Sequence, residues 1–304
     1  MLSLIRLAHD EKVNCKMKTF AVLFVVVAMM SKGGIAQKDV SPLEGVLIRT
    51  AHNVEHAVAP LMSWGENGQH PENAAVVGTG FFINADGYFI TAAHVADLWK
   101  PNSAQLSIMT RQNSGDAAGQ WFDVIEKDTA HDLALCKMKV SLKNLLMVNR
   151  MIGKGKALPN AESGITIATL GISTQPTQTG RFIAIAGFPL GSWNPSIQLG
   201  TIASTTTVNP NIEGVPGGRK QLLQISVSGN KGNSGSPVIE LRTGKVIGVV
   251  VQVIPAPLYT AGPNNVPLAQ SSGVMLAVPA VWVQELLKRH GITSNTILPT
   301  SKLP

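Results

Sequence analysis

The stretch Gly232-Asn233-Ser234-Gly235-Ser236-Pro237 sets one serine in a backbone that few side chains permit. Ser234 is the candidate nucleophile. Small neighbours let the chain turn sharply, so the N–H groups of Gly232 and Ser234 could converge on a carbonyl oxygen as it becomes an oxyanion. The same composition also makes a plain surface turn, and a serine hydroxyl is a weak nucleophile until a base activates it. Two other stretches offer the missing groups. His94 sits in Thr91-Ala92-Ala93-His94-Val95, where small residues at a strand end bring a ring to a sheet edge rather than into a core. Asp132 opens the alternating run Leu133-Ala134-Leu135-Cys136-Lys137-Met138. It is either a turn residue or the carboxylate that holds an imidazole in one tautomer and stabilises its charged form.

Other chemistry-bearing residues are set aside. His52-Asn53-Val54-Glu55-His56 spells H-x-x-E-H, a zinc-peptidase string. Such a site needs a long helix and a further ligand, whereas Pro60 soon interrupts the pattern and Val54, Ala57 and Leu61 explain a short amphipathic piece. No metal and no cofactor are therefore expected. Cys136 shares a strand face with Ala134 and Met138 and reads as a small buried apolar residue. Lys143, Arg150, Lys154 and Lys156 read as a solvated basic loop.

The elements that must carry these groups are mostly short strands. Val76 to Phe82, the turn Asn84-Ala85-Asp86-Gly87 and Tyr88 to Thr91 form a hairpin. Further strands are predicted over Trp121 to Ile125, Leu133 to Met138, Gly164 to Gly171, Arg181 to Gly187, Ile197 to Val208, Gln221 to Val227, Lys245 to Ile254 and Gly273 to Val278. Only Pro279 to His290 has helical spacing, with Lys288, Arg289 and His290 suited to a helix C-terminus. This pattern indicates an all-β fold built from barrels.

Composition narrows the class. The 304 residues suffice for a substantial core, and 44% hydrophobic content with 29 glycines suits a soluble β protein. The formal charge is +7, but residues 1–36 hold five of the 25 basic and two of the 18 acidic residues, leaving +4 without them. That charge is modest and scattered, which argues against nucleic acid as a partner. The leader has Lys16 and Lys18 before an apolar run from Phe20 to Met30, then Gly34 and Ala36 at the small positions before Gln37. It reads as a secretory signal peptide over 1–36, with Met1 or Met17 as the start. The run is too short to span a bilayer, which takes roughly 20 residues, so no stable membrane insertion is expected after cleavage. Cys15 leaves with the leader, Cys136 remains unpaired, and no internal disulfide forms. Export without disulfides points to a secreted or periplasmic protein of a bacterial envelope.

Taken together, these stretches resemble the trypsin-like serine proteases of the bacterial Deg/HtrA type. Gly78-Thr79-Gly80-Phe81-Phe82 with Ala85 to Val95 is similar to the hairpin carrying the family's histidine, and Asp132-Leu133-Ala134-Leu135 to its aspartate strand. Ala184 to Gly191 with Gly200-Thr201-Ile202 is similar to the strand pair opening the second barrel. Gly232 to Pro237 resembles the nucleophile loop, and Gly273 to Pro279 the strand before the closing helix. The resemblance implies two packed six-stranded antiparallel β-barrels with a C-terminal helix. It implies a protease domain over 76–290 with a basic insertion at about 141–179, after an N-terminal segment 37–75 and before a tail 291–304. It further implies a serine endopeptidase with His94, Asp132 and Ser234 as catalytic residues, Gly232 and Ser234 as the oxyanion hole, and protein or peptide substrates. Ser228 and Val250 are expected at the substrate pocket, where the lack of an acidic residue disfavours Lys or Arg at the cut. An oligomer is compatible with this reading.

Three departures stand out. Ser236 replaces a second glycine, Asn233 replaces the aspartate of trypsin, and about 14 residues follow His290, too few for the PDZ domain common in Deg proteins. Ser236 keeps open the alternative of a catalytically silent, binding-only protease fold. A metalloprotein using His52 and His56 is a more distant alternative.

Overall fold

The computed structural model describes residues 42–64, 74–100, 105–111, 117–139, 168–173, 175–208, 220–255, 260–261, 266–267 and 271–296. The expected leader, most of the basic loop and the end of the tail lie outside them. The chain divides into units 1–45 and 46–304. The elements discussed below lie in the second, apart from the first turn of helix α1 (Pro42–Glu55).

Alternating apolar residues build two sheets. The first contains β1 (Val58–Ser63), β2 (Ala75–Phe82), β3 (Tyr88–Ala92), β4 (Leu106–Arg111), β5 (Ala117–Gln120), β6 (Phe122–Asp128) and β7 (Leu133–Met138), in the order β5-β4-β1-β2-β3-β7-β6. Only Trp121 separates β5, which pairs with β4 at one edge, from β6, which pairs with β7 at the other. The chain therefore passes from one edge of this seven-stranded sheet to the other across a single residue, and the sheet is a half-barrel where a closed six-stranded barrel is expected. The second is a closed six-stranded barrel of β8 (Phe182–Gly187), β9 (Ser196–Val208), β10 (Lys220–Ser226), β11 (Pro237–Glu240), β12 (Lys245–Pro255) and β15 (Ser271–Pro279), in the order β10-β15-β12-β11-β8-β9. A small ribbon pairs β13 (Thr260–Ala261) with β14 (Val266–Pro267). A single helical turn, α2 (Ala93–Ala96), follows β3, and helix α3 (Ala280–Arg289) follows β15.

Three apolar clusters follow from the two-residue strand period. Leu61, Phe82, Phe89, Ala134, Cys136 and Met138 fill the first barrel. Ile183, Ile185, Leu223, Ile225, Val250, Met275 and Ala277 fill the second. The opposite faces of the same strands, with Phe81, Ile83, Leu133, Leu135, Ile239, Val249, Leu276 and Val278, join Val283, Leu286 and Leu287 of α3 in a core between the barrels. Cys136 is fully buried in the first of these clusters as a packing residue, and burial pushes its thiol far above the usual range.

β1, in the segment expected to precede the protease domain, pairs with β2 and β4. Pro60 does not break a helix but lies in β1, opposite Thr79 of β2, and the ladder to β4 starts only at Leu61, so its missing N–H falls where that neighbour is absent. Residues 168–173, within the expected insertion, are buried, and Ile172 bridges Val246. Part of the expected tail is also docked: Asn295 N donates to Ile83 O at 2.9 Å, and Thr169 Oγ1 to Asn295 O at 2.6 Å.

Candidate active site

Register explains how two distant residues meet. β3 and β7 pair antiparallel with Ala92 opposite Leu133, so the residue after Ala92 and the one before Leu133 emerge at the same sheet end. Ala93 N donates to Asp132 O at 3.1 Å. Asp132 has φ +54°, a left-handed conformation that aspartate tolerates better than most residues. Its carboxylate then grips His94 twice: His94 N donates to Oδ1 at 2.9 Å, and Nδ1 lies 2.8 Å from Oδ2. That bond, reinforced by the Asp132 charge and opposed by partial burial, raises the His94 pKa above its ordinary 6.5. The side chain is 47% exposed.

Ser234 lies between β10 and β11, in a loop braced from the first barrel. Thr79 N donates to Ser234 O at 2.8 Å, Thr79 Oγ1 donates to Gly232 O at 2.7 Å, and Phe188 N donates to Thr79 Oγ1 at 3.2 Å. Thr91 Oγ1 closes the set by donating to Thr79 O at 2.8 Å. Thr79 is thus the clamp between barrel and loop. The sequence offered one signal for it, its place between Gly78 and Gly80 in a β-prone run, and that signal does not say what its hydroxyl meets.

Loop geometry follows from close approach. Gly232 has φ +98°, and a Cβ there would stand 2.1 Å from Phe188 O, so no other residue fits. Asn233 N donates to Asn230 O and Gly235 N to Val250 O. Among the described residues the N–H groups of Gly232 and Ser234 donate to no protein acceptor, and the Ser234 hydroxyl makes no hydrogen bond. The structure therefore brings His94 and Asp132 into direct contact. Ser234 is fixed by its backbone, with its side chain not bonded to the ring.

The substituted position is accommodated by a neighbour. Ser236 is wholly buried, with its hydroxyl unpaired, as is Asn233 Nδ2. A Cβ on Gly187 would stand 2.1 Å from Ser236 Oγ and 2.8 Å from Asn233 Oδ1, so the space for the extra hydroxymethyl is the space Gly187 leaves open.

Of the expected pocket residues, Ser228 is exposed. Val250 is 0% exposed among the second barrel's core residues, and only its backbone touches the loop, through Gly235 N and Ser236 O. Its side chain therefore builds the barrel interior instead of a pocket wall, because its strand parity points it inward. Next to Ser228, a Cβ on Gly229 would lie 2.3 Å from Met275 Sδ, which marks Met275 as the residue filling the space behind this segment.

Helix α3 reaches the turn that carries Asp132. His131 stacks on Trp282 with centroids 3.8 Å apart and planes at 19°, and its Nδ1 lies 3.0 Å from Asp128 Oδ2. Arg289 Nη2 donates to Glu126 at 2.7 Å and to Asp128 at 3.3 Å, and His290 Nε2 lies 2.5 Å from Glu126. Arg289, then His290, holds Glu126 below its usual pKa despite some desolvation. For Asp128 burial pushes upward, and the His131 and Arg289 bonds outweigh it, so its pKa is also lowered.

The comparisons agree with this architecture. The chain is 29% identical over 202 residues to HhoA of Synechocystis sp., which carries a serine-protease name, covering 66% of this chain and 40% of that protein. It is 26% identical over 266 residues to a DegP-like protein of Ectopseudomonas mendocina whose name describes a periplasmic serine endoprotease, covering 86% of this chain and 45% of that protein. The chain thus spans less than half the length of either relative. In fold it is similar to the active form of the Rv3671c protease from M. tuberculosis, with a TM-score of 0.52 at 21% identity over 82% of this chain and 87% of that one. It is also similar to the HtrA-type protease AlgW with a decapeptide, with a TM-score of 0.51 at 18% identity over 80% and 68%. The profile of the trypsin-like peptidase domain matches residues 78–249, more than half of the 304 residues. The chain belongs to the trypsin-like peptidase domain family.

Proposed function

We propose that this protein is an exported serine endopeptidase acting through an acyl-enzyme on Ser234. The observation that carries the proposal is the pair of contacts from Asp132 to the backbone and ring of His94; an ionised carboxylate only accepts, so it favours the proton on Nδ1 and leaves Nε2 as base. His94 Nε2 accepts the Ser234 proton as Oγ attacks the peptide carbonyl carbon, and the oxyanion is received by the N–H groups of Gly232 and Ser234. The C–N bond then breaks, and the amine departs with the proton from His94. Water, deprotonated by the same ring, attacks the ester and restores Ser234.

Substrates are unfolded protein segments with small apolar side chains at the cut, because among the described residues the side chains nearest a Cβ on Gly229 are those of Met275 and Val253, both apolar. The leader of residues 1–36 and the envelope location belong to the same proposal. The periplasmic name of the DegP-like relative supports it, and, among the described residues, no helix is long and apolar enough to cross a membrane.

The test is incubation of the mature protein with an unfolded substrate and a fluorophosphonate probe, beside Ser234→Ala. Cleavage and labelling are expected in the parent, with cleavage falling by about four to six orders of magnitude in the variant. Unchanged cleavage by the variant would refute Ser234 as nucleophile, and inactivity of both would favour the binding-only fold. Mass spectrometry of the exported chain should find Gln37 at its N-terminus.

A further inference from the structure

Helix α1 ends at Glu55, and the chain turns through His56 and Ala57 into β1. This corner is fixed on all sides. Val54 and Ala57 are 2% and 0% exposed, Ala57 N donates to Val54 O at 2.9 Å, Ala168 N to His56 O at 3.0 Å, and Phe82 N to Ala57 O at 2.9 Å. On this anchored backbone the half-buried side chains of His52, Glu55 and His56 turn toward one another, their donor atoms all within 4.8 Å. Both rings approach the same carboxylate oxygen: His52 Nδ1 lies 3.5 Å and His56 Nε2 3.4 Å from Glu55 Oε1.

These distances exceed the 2.7–2.9 Å or so of a charge-assisted hydrogen bond. They are ion-pair distances, and they also equal the spacing of donors that share one metal ion. Donors bound at about 2.0–2.1 Å to one tetrahedral ion stand roughly 3.3–3.4 Å apart along the tetrahedron's edge. Two imidazoles on such an ion place their centroids roughly 5.2 Å apart, and those of His52 and His56 are 5.5 Å apart with planes at 84°.

We propose that His52, Glu55 and His56 form a binding site for one divalent transition-metal ion, zinc by preference, which clips the end of α1 to the start of β1. Two imidazoles and one carboxylate suit zinc, whereas magnesium and calcium seek six or more oxygens. Three protein donors leave a fourth position for water. Helix α1 ends at Glu55, one residue before His56, so the string is not carried on one continuous helix, and a structural clip needs only the corner. The site uses no residue of the proposed hydrolytic machinery, so it stands or falls apart from that reading.

The test uses the full chain stripped with a chelator and titrated with zinc against a chromogenic competitor. The expected result is about one zinc per chain and a thermal midpoint that rises with zinc. His52→Ala and His56→Ala should lose both effects, Glu55→Gln should bind more weakly, and Ser234→Ala should bind like the parent. Cobalt substitution gives a readout on the parent alone, visible absorption of tetrahedral strength from nitrogen and oxygen ligation, which holds even where a variant folds poorly. Absence of zinc binding by the parent, absence of those bands, or equal zinc binding by His52→Ala and His56→Ala would each overturn the site.

Discussion

Ser236 and Gly187 are a matched pair, and their coupling is measurable. The buried Ser236 hydroxyl has no partner, a state that costs about 1–3 kcal/mol. Ser236→Ala should therefore raise stability by roughly 1 kcal/mol in urea titration, and a loss of stability would mean that the hydroxyl is satisfied in solution. Gly187→Ala should destabilise severely, since its Cβ would collide with Ser236 Oγ, and adding Ser236→Gly should restore part of the loss. Simple additivity of the two changes would show that they do not share a space. Met275 makes a prediction about specificity. Met275→Ala should cost about 2–5 kcal/mol as a core truncation and at the same time lower KM for substrates with larger apolar side chains at the cut. Peptide-library profiles that stay unchanged would remove Met275 from the specificity argument.

Helix α3 acts on the turn before Asp132 through two kinds of contact of unequal worth. The His131–Trp282 stack is close and nearly parallel, and pairs of this kind contribute about 0.5–1.5 kcal/mol. The Arg289 bonds involve a guanidinium side chain that is 44% exposed, where ion pairs contribute about 0–1 kcal/mol. Trp282→Ala should therefore lower kcat by about 2- to 10-fold with little change in KM, and Arg289→Ala should do less. Steady-state kinetics decides the point: a KM effect in place of a kcat effect would mean that the helix shapes substrate binding rather than the position of Asp132.

For the whole molecule, stability and activity should respond oppositely as pH rises through the raised pKa of His94. The folded-state pKa of His94 is raised, so its stabilisation is complete below the ordinary 6.5 and fades as pH rises through the higher folded value. Catalysis needs the neutral ring, so kcat/KM should increase through that same interval. Glu126 and Asp128 are lowered from 4.5 and 3.8, so their stabilisation is present above those values and is lost as pH falls through the lower folded ones. Thermal midpoints should thus fall in acid and decline again as His94 loses its proton. Midpoint and kcat/KM curves that rise together above pH 6.5 or so would contradict this assignment.

The β-barrel class, the hairpin at Asn84–Gly87, the closing helix and His94, Asp132 and Ser234 as candidates were legible in the chain, because strand alternation, turn chemistry and reactive side chains are local properties. β1 was hidden because Pro60 argues against a strand unless its ladder is known to be one-sided there. Thr79, Gly187, Met275 and Trp282 gave no signal of their roles, since each matters only for what it meets across more than 40 residues of chain: Gly232, Ser236, Gly229 and His131. Val250 was assigned to a pocket from its position in sequence, and strand parity turned it into the barrel. The loop Gly232–Pro237 thus carried its own chemistry in its residues. Whether that loop could be held in place depended on a threonine from the other barrel and on a glycine whose missing side chain makes room for Ser236.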